Sequence, residues 1–218
     1  GARHISVRGG HAIPARTWTV PRDFSAAAFL LVAGSIVPEG EITLPGVGLN
    51  PTRAALLDVL RAMGADITAT NERTRGGEPL ADLTVRPATL HGVTVEGDVV
   101  ANLIDEIPIL AVAGACAEGT LTVRDAGELR VKETDRIAAM VSNLRAMGAQ
   151  VEDFPDGFRI EGGRPLTGAA VDAFHDHRIA MAMGVAGLVA EGETHIDGAE
   201  SAAVSFPRFW ETLDALRA

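Results

Sequence analysis

The sequence predicts an α/β domain made of three copies of one helix-and-strand unit, with its helices inside and its sheets outside. Three recurring features carry this. Ala-Gly pairs stand at Ala33-Gly34, Ala113-Gly114 and Ala186-Gly187. Glu-Gly pairs stand at Glu39-Gly40, Glu118-Gly119 and Glu191-Gly192, their glycines 79 and 73 residues apart. The string Leu-Arg-Ala recurs at Leu60, Leu144 and Leu216, and the first two copies continue as Leu-Arg-Ala-Met-Gly-Ala. So long a period, holding two helices and several strands, exceeds the common solenoid repeats and is too sparse in turns for a propeller. Three such units close most naturally around a pseudo-threefold axis in layers.

The elements follow in order. Residues 1–20 alternate as extended segments, with Ile5 and Val7 and then Thr17-Trp18-Thr19-Val20 ending at Pro21, and stand outside the repeat. Each unit then opens on an acidic residue and an apolar helix, over 26–32, 109–113 and 179–185. Helices apolar on every side belong at a buried centre. A short β-branched strand follows each Glu-Gly turn: Ile42-Thr43-Leu44, Thr120-Leu121-Thr122-Val123 and Thr194-His195-Ile196. The Leu-Arg-Ala helices come next, and Gly64 and Gly148 end the first two before strands at 66–70 and 150–152. Hairpin-like returns run through Leu83-Thr84-Val85 and Phe158-Arg159-Ile160. The third unit reaches Ala218 directly after its helix, which suggests that its closing strands come from elsewhere in a longer polypeptide. The repeats span about 21–100, 101–172 and 173–218.

Composition narrows the functional class. With 47% hydrophobic residues over 218, the chain can bury a full core without staples. A formal charge of −10 argues against nucleic acid or an anionic membrane as partner, because both require a basic surface. The apolar runs at 24–37 and 107–117 are too short and interrupted to span a bilayer. The lone Cys116 lies within the second run and reads as a small buried side chain, which fits a cytoplasmic protein.

The densest chemistry lies at Arg130-Val131-Lys132-Glu133-Thr134-Asp135-Arg136, five charges in seven residues leading into the helical pattern Ile137, Met140, Val141, Leu144. Aligning the Leu-Arg-Ala helices sets Asn50, Thr134 and Phe206 level with one another and Pro51, Asp135 and Pro207 one residue later. Proline favours the first helical position and Asn or Thr the N-cap, so Thr134 reads as the cap and Asp135 as the first helical residue. A surface ion pair between Glu133 and Arg136, three apart, would contribute only about 0.2–0.5 kcal/mol. The sister positions, Gly48-Leu49 and Val204-Ser205, manage without charge, so folding does not require it. A helix N-terminus presents free N–H groups and partial positive charge, and Lys132 and Arg136 would reinforce its hold on an anion.

Two further helix starts carry candidates. Asp105 opens the second unit, either as a cap or as a reactive carboxylate. His175-Asp176-His177-Arg178 opens the third; side chains two apart on a helix diverge and no further ligand is clustered there, so a metal is not expected. Asp176 reads instead as a cap, with His177 and Arg178 facing an anion. Two carboxylates, a histidine, a lysine and two arginines on three helix starts suit proton transfer on a highly anionic substrate.

Two of these stretches, Arg130 to Arg136 and Asp176-His177-Arg178-Ile179-Ala180-Met181, resemble signatures of the 5-enolpyruvylshikimate-3-phosphate (EPSP) synthase family. The likeness extends to Asp23-Phe24-Ser25-Ala26-Ala27, Leu103-Ile104-Asp105-Glu106 and Ser205-Phe206-Pro207. It implies an inverted α/β barrel of three βαβαββ units, one of two domains in the intact enzyme. It also implies that residues 1–20 are the tail of the other domain, because no Lys-Ser-Xaa-Ser-Xaa-Xaa-Arg-like or Ser-Ser-Gln-like segment occurs here.

By the same resemblance, the enzyme joins phosphoenolpyruvate to the 5-hydroxyl of shikimate 3-phosphate without metal or organic cofactor, as a cytoplasmic monomer when intact. Asp105 matches the aspartate that deprotonates the hydroxyl, and Glu133 the glutamate of proton transfer at the methylene. Lys132 matches a shikimate-phosphate contact, Arg136 and Arg178 the arginines that clamp phosphoenolpyruvate, and His177 their neighbour. Glu128 and Val204 depart from the Asn and Lys of some members, so neither receives a role. The sister UDP-N-acetylglucosamine enolpyruvyl transferase shares fold and chemistry but is disfavoured by the Lys-Glu-Thr-Asp-Arg and Asp-His-Arg strings. A noncatalytic remnant with this fold is the alternative outside enzymes. The isolated chain is expected to be an inactive half.

Overall fold

The computed structural model describes residues 4–15 and 17–216. In the first unit, Asp23 caps α1 (Phe24–Ile36) by accepting from the Ala26 N–H at 2.8 Å. There follow β1 (Ile42–Gly48), α2 (Ala55–Ala62), β2 (Asp66–Arg75) and β3 (Glu78–Arg86). The second unit runs through β4 (Thr94–Val95), α3 (Ile107–Cys116), β5 (Thr120–Val123), α4 (Arg136–Ala146), β6 (Gln150–Phe154) and β7 (Gly157–Glu161). The third holds β8 (Ala170–Asp172), α5 (His177–Gly187), β9 (His195–Asp197) and α6 (Phe209–Ala215).

One plan serves all three. The strand before each first helix lies parallel to the strand after it: β4 on β5, β8 on β9, and a single bridge from Arg22 to Val47 in the first unit. In the first two units an antiparallel hairpin then returns its second strand to the free edge, giving the orders β1-β3-β2 and β4-β5-β7-β6. By this pairing, the second and third sheets begin upstream of the divisions at about 101 and 173. The third sheet has only β8 and β9, so among the described residues no strand covers the outer edge of β9.

The helices α1, α3 and α5 pack on one another at the centre. Every residue from Ile107 to Ala115 is buried, as the apolar run requires. The Ala-Gly pairs bring each helix flush against its own sheet. A Cβ on Gly114 would stand 2.3 Å from Leu121 Cδ2, and one on Gly34 2.6 Å from Val85 Cγ1. In the open third unit the matching contact, Gly187 to Thr194 Cβ, relaxes to 3.4 Å. The string Leu-Arg-Ala-Met-Gly-Ala is a helix stop. Gly64 and Gly148 adopt φ of 95° and 89°, and the next N–H, of Ala65 or Ala149, returns to the carbonyl of Leu60 or Leu144 at 2.9 Å. Cys116 ends α3 with its thiol pushed up to about 11 by burial, which leaves it inert at neutral pH.

Three expectations need correction. The cap of α4 is Asp135, not Thr134: its Oδ1 accepts from Ala138 N–H at 2.9 Å, while Arg130 holds the same carboxylate at 2.9 Å, and the helix opens on Arg136. The first-unit helix α2 begins at Ala55, four residues past Pro51. Asn50 Oδ1 instead accepts from the backbone and hydroxyl of Thr52, a local turn that competes with helix. Residues 4–15 and 17–20 form no strand, and Ile5, Val7, Ile13 and Val20 are 84–95% exposed. A lone extended segment has no ladder partner to hold it, and this one finds none. No helix among the described residues is long and apolar enough to cross a membrane.

Candidate active site

The N-terminal ends of the central helices and of α4 meet on one face, and Asp105 stands at their junction. Asp105 caps nothing. It lies in a single 3-10 turn, Ile104–Glu106, directly before α3. Four cations surround it. On the Oδ1 side are Arg136 Nη1 at 3.3 Å and Lys132 Nζ at 3.9 Å; on the Oδ2 side are Arg178 Nη2 at 3.5 Å and Arg53 Nη1 at 3.7 Å. Burial, the largest single influence, pushes the carboxyl's pKa up. The combined fields of Arg178, Lys132, Arg136 and Arg53 outweigh it and hold the group below its ordinary value.

Arg136 knits the site together. Its side chain is 1% exposed and its Nε donates to Asp176 Oδ2 at 2.7 Å, Asp176 being wholly buried. Nη1 reaches Asp105, and Nη2 donates to Glu133 Oε2 at 2.6 Å. These three carboxylates offset the cost of burying the guanidinium, which without partners would be prohibitive. Asp176 caps α5 with its other oxygen, accepting from Arg178 N–H at 2.8 Å, so the starts of α4 and α5 are joined through one side chain. Just before it, Phe174 and His175 take left-handed backbone angles of 51° and 57°, a strained corner fixed by Asp172 Oδ1 accepting from Phe174 N–H. Asn143 of α4 clamps that corner by two bonds to the Asp172 backbone, at 2.7 and 3.1 Å.

The structure thus brings Asp105, Lys132, Glu133, Arg136, His177 and Arg178 to one end of the barrel. Glu133 is the outermost, its side chain 52% exposed over Arg136. Lys132 divides its charge between Asp105 and Glu128, four residues before it, whose Oε1 accepts from Lys132 Nζ. His177 is the first residue of α5 and is half-buried. Desolvation, ahead of the opposing pull of Asp176, lowers its pKa below 6.5, and Arg178 and Arg136 add to the effect.

Three participants were not anticipated. Arg53 reaches Asp105 from the turn before α2, Ser25 lies in the first turn of α1, and Glu106 is a buried acid beside Asp105. Their signal in the sequence is faint but physical. Ser25 and Glu106 are polar residues at the mouths of otherwise apolar helices, and such positions seldom hold polar groups without a partner.

A family model described as EPSP synthase (3-phosphoshikimate 1-carboxyvinyltransferase) matches residues 1–213. The 3-phosphoshikimate 1-carboxyvinyltransferase of Salinibacter ruber is 61% identical over 98% of this chain and 50% of its own length. That of Synechococcus sp. (strain JA-3-3Ab) is 55% identical over 99% and 48%. The chain therefore spans about half the length of the curated relatives it matches. The solved EPSP synthase of Acinetobacter baumannii superposes with a TM-score of 0.88 at 42% identity, over 91% of this chain and 46% of that one. The enolpyruvyl transferase NikO of Streptomyces tendae shares the fold, at a TM-score of 0.71 and 21% identity over 89% of this chain and 43% of its own. A matching family model over nearly the whole chain, relatives 55% and 61% identical and a superposable inverted barrel lead to one conclusion: the chain belongs to the EPSP synthase family.

Proposed function

We propose that this chain is the later half of a 3-phosphoshikimate 1-carboxyvinyltransferase, which transfers the enolpyruvyl group of phosphoenolpyruvate to the 5-hydroxyl of shikimate 3-phosphate and releases phosphate. The observation that carries the reading is Asp105, a carboxylate ringed by four cations drawn from all three units. In the addition step the hydroxyl oxygen bonds to C2 of phosphoenolpyruvate, its proton passes to Asp105, and the methylene carbon gains a proton from Glu133. Elimination reverses the proton movement at that carbon as the C–O bond to phosphate breaks.

So stabilised a carboxylate is a weak base. Anionic substrates would remedy this by drawing Lys132, Arg178 and Arg53 onto their own oxygens, leaving Asp105 less compensated and more basic at the moment the hydroxyl arrives. Arg136 and Arg178 would bind phosphoenolpyruvate with His177 beside them, and Lys132 would face shikimate 3-phosphate. The N–H groups at the starts of α4 and α5 add to the field. Opposing groups belong to the missing half of the same polypeptide, with which the chain works as a cytoplasmic monomer. Apart from that half, the partly exposed Asp105, Lys132 and Glu133 meet water, where electrostatic contacts weaken severalfold.

The test is phosphate release from phosphoenolpyruvate and shikimate 3-phosphate, first with this chain alone and then with the missing half added in trans. Activity only on mixing is expected. Turnover by the chain alone at the intact enzyme's rate overturns the two-half reading, and no turnover by the intact polypeptide overturns the function.

A further inference from the structure

Behind the cations around Asp105 lies a closed ring of contacts. Ser25 Oγ donates to Glu106 Oε1 at 2.5 Å. Arg178 Nη1 approaches the same oxygen at 3.4 Å and donates to the Asp105 backbone carbonyl at 2.9 Å. Arg53 Nη2 donates to Ser25 Oγ at 3.1 Å. Both arginines then return to one atom, Oδ2 of Asp105. Ser25 and Arg53 come from the first unit, Asp105 and Glu106 from the second, Arg178 from the third. Glu106 is 1% exposed and cannot touch a substrate, yet it reaches both arginines, Arg178 directly and Arg53 through Ser25.

We propose that Glu106 is a positioning residue: through Arg178 directly, and through Ser25 to Arg53, it sets the two guanidinium groups that flank Oδ2 of Asp105. The inference rests on the anion-binding reading of this face given above. Without an acceptor at Glu106 Oε1, Arg178 keeps only the Asp105 backbone carbonyl and its long contact to Oδ2. Ser25 would also be free to turn its hydroxyl away from Arg53. Two long, rotamer-rich side chains would then sample many placements where an anion requires one, and misplacement by an ångström can cost roughly a hundredfold in rate.

A purely structural role would look different. Burial raises the pKa of Glu106, only partly offset by the Ser25 hydrogen bond and by Arg178 and Arg53, so the charged form is a burden to the fold. Removing the charge should therefore leave the protein as stable as before, or more so, while loosening the arginines.

The experiment uses the full-length polypeptide and compares wild type with Glu106→Gln and Glu106→Ala. Glu106→Gln retains an oxygen that can accept from Ser25 and Arg178. Glu106→Ala is expected to raise KM for phosphoenolpyruvate and to lower kcat/KM by roughly ten- to a hundredfold. Glu106→Gln should recover most of the loss, with its melting temperature at or above that of wild type. Crystal structures form the second arm: the Arg178 and Arg53 guanidinium groups should shift in Glu106→Ala and stay in place in Glu106→Gln. Wild-type kinetics in Glu106→Ala, or arginines unmoved in its crystals, overturns the proposal. So does a loss of activity that only follows a loss of stability and that Gln does not restore. The crystallographic arm needs no turnover, so an inactive wild type would refute the function while the positioning claim is still decided.

Discussion

At the residue scale, the site is an exercise in charge neutralisation. Arg136 stands between one carboxylate that no solvent reaches and one that solvent half covers, so its loss and the loss of Glu133 should have opposite signatures. Arg136→Ala leaves Asp176 buried without a counter-charge, and denaturant titration should show destabilisation of about 3–5 kcal/mol. Adding Asp176→Asn should recover part of it; no recovery would mean that packing of the arginine stem, not charge, carries the cost. Glu133→Gln in the intact enzyme should lower kcat by orders of magnitude while sparing affinity for shikimate 3-phosphate. Parallel loss of both would make Glu133 a structural partner of Arg136. His177 supplies a pH test. Its folded pKa lies below its unfolded value near 6.5, so the unfolded state takes up the proton first. Stability is then complete above about 6.5 and is lost as pH falls from there through the folded pKa. Wild type should lose more stability between pH 8 and pH 5.5 than His177→Gln, and equal losses would discount the imidazole.

Elements were far more legible than their ends. The Ala-Gly, Glu-Gly and Leu-Arg-Ala strings revealed three units and their order because each marks a backbone requirement: a close helix–sheet approach, a turn, a helix stop. Helix starts were misjudged where two polar side chains compete for the cap, as Thr134 and Asp135 do, or where an Asn turn pre-empts the first helical turn, as at Asn50. Lys132, Glu133 and Arg136 were conspicuous because the sister helices lack charge there. Arg53, Ser25 and Glu106 were not, since their roles depend on partners 28 to 81 positions away in the chain. The glycine reading can be checked by one pair of substitutions. Gly114→Ala must push Leu121 off β5 and should cost about 1–3 kcal/mol, whereas Gly187→Ala meets only ordinary contact with Thr194 and should be near neutral. Similar melting temperatures for the two variants would remove the close-approach explanation.

At the scale of the whole molecule, the chain is a barrel with one unfinished side. Among the described residues no strand covers the outer edge of β9, and beside it a groove of about 410 Å³ runs between α5, β9 and α6, lined by Gly184, Leu188, Ile196 and Trp210. An uncovered edge recruits strands. The isolated chain should therefore self-associate with rising concentration in sedimentation velocity, and the intact polypeptide should not; a strictly monomeric chain at high concentration would show that the edge is blunted by its short length. The ring around Asp105 has a consequence in time as well as in space. Its contacts span 28, 73 and 81 positions of sequence, and the ring as a whole cannot close until helix starts from all three units have docked. Contacts of such range are made late in folding, after local helices and hairpins have settled. In a refolding experiment, then, Trp210 fluorescence should return before the capacity to bind an anion, so that the reactive centre is the last part of the protein to come into existence and the first to vanish when any one unit opens.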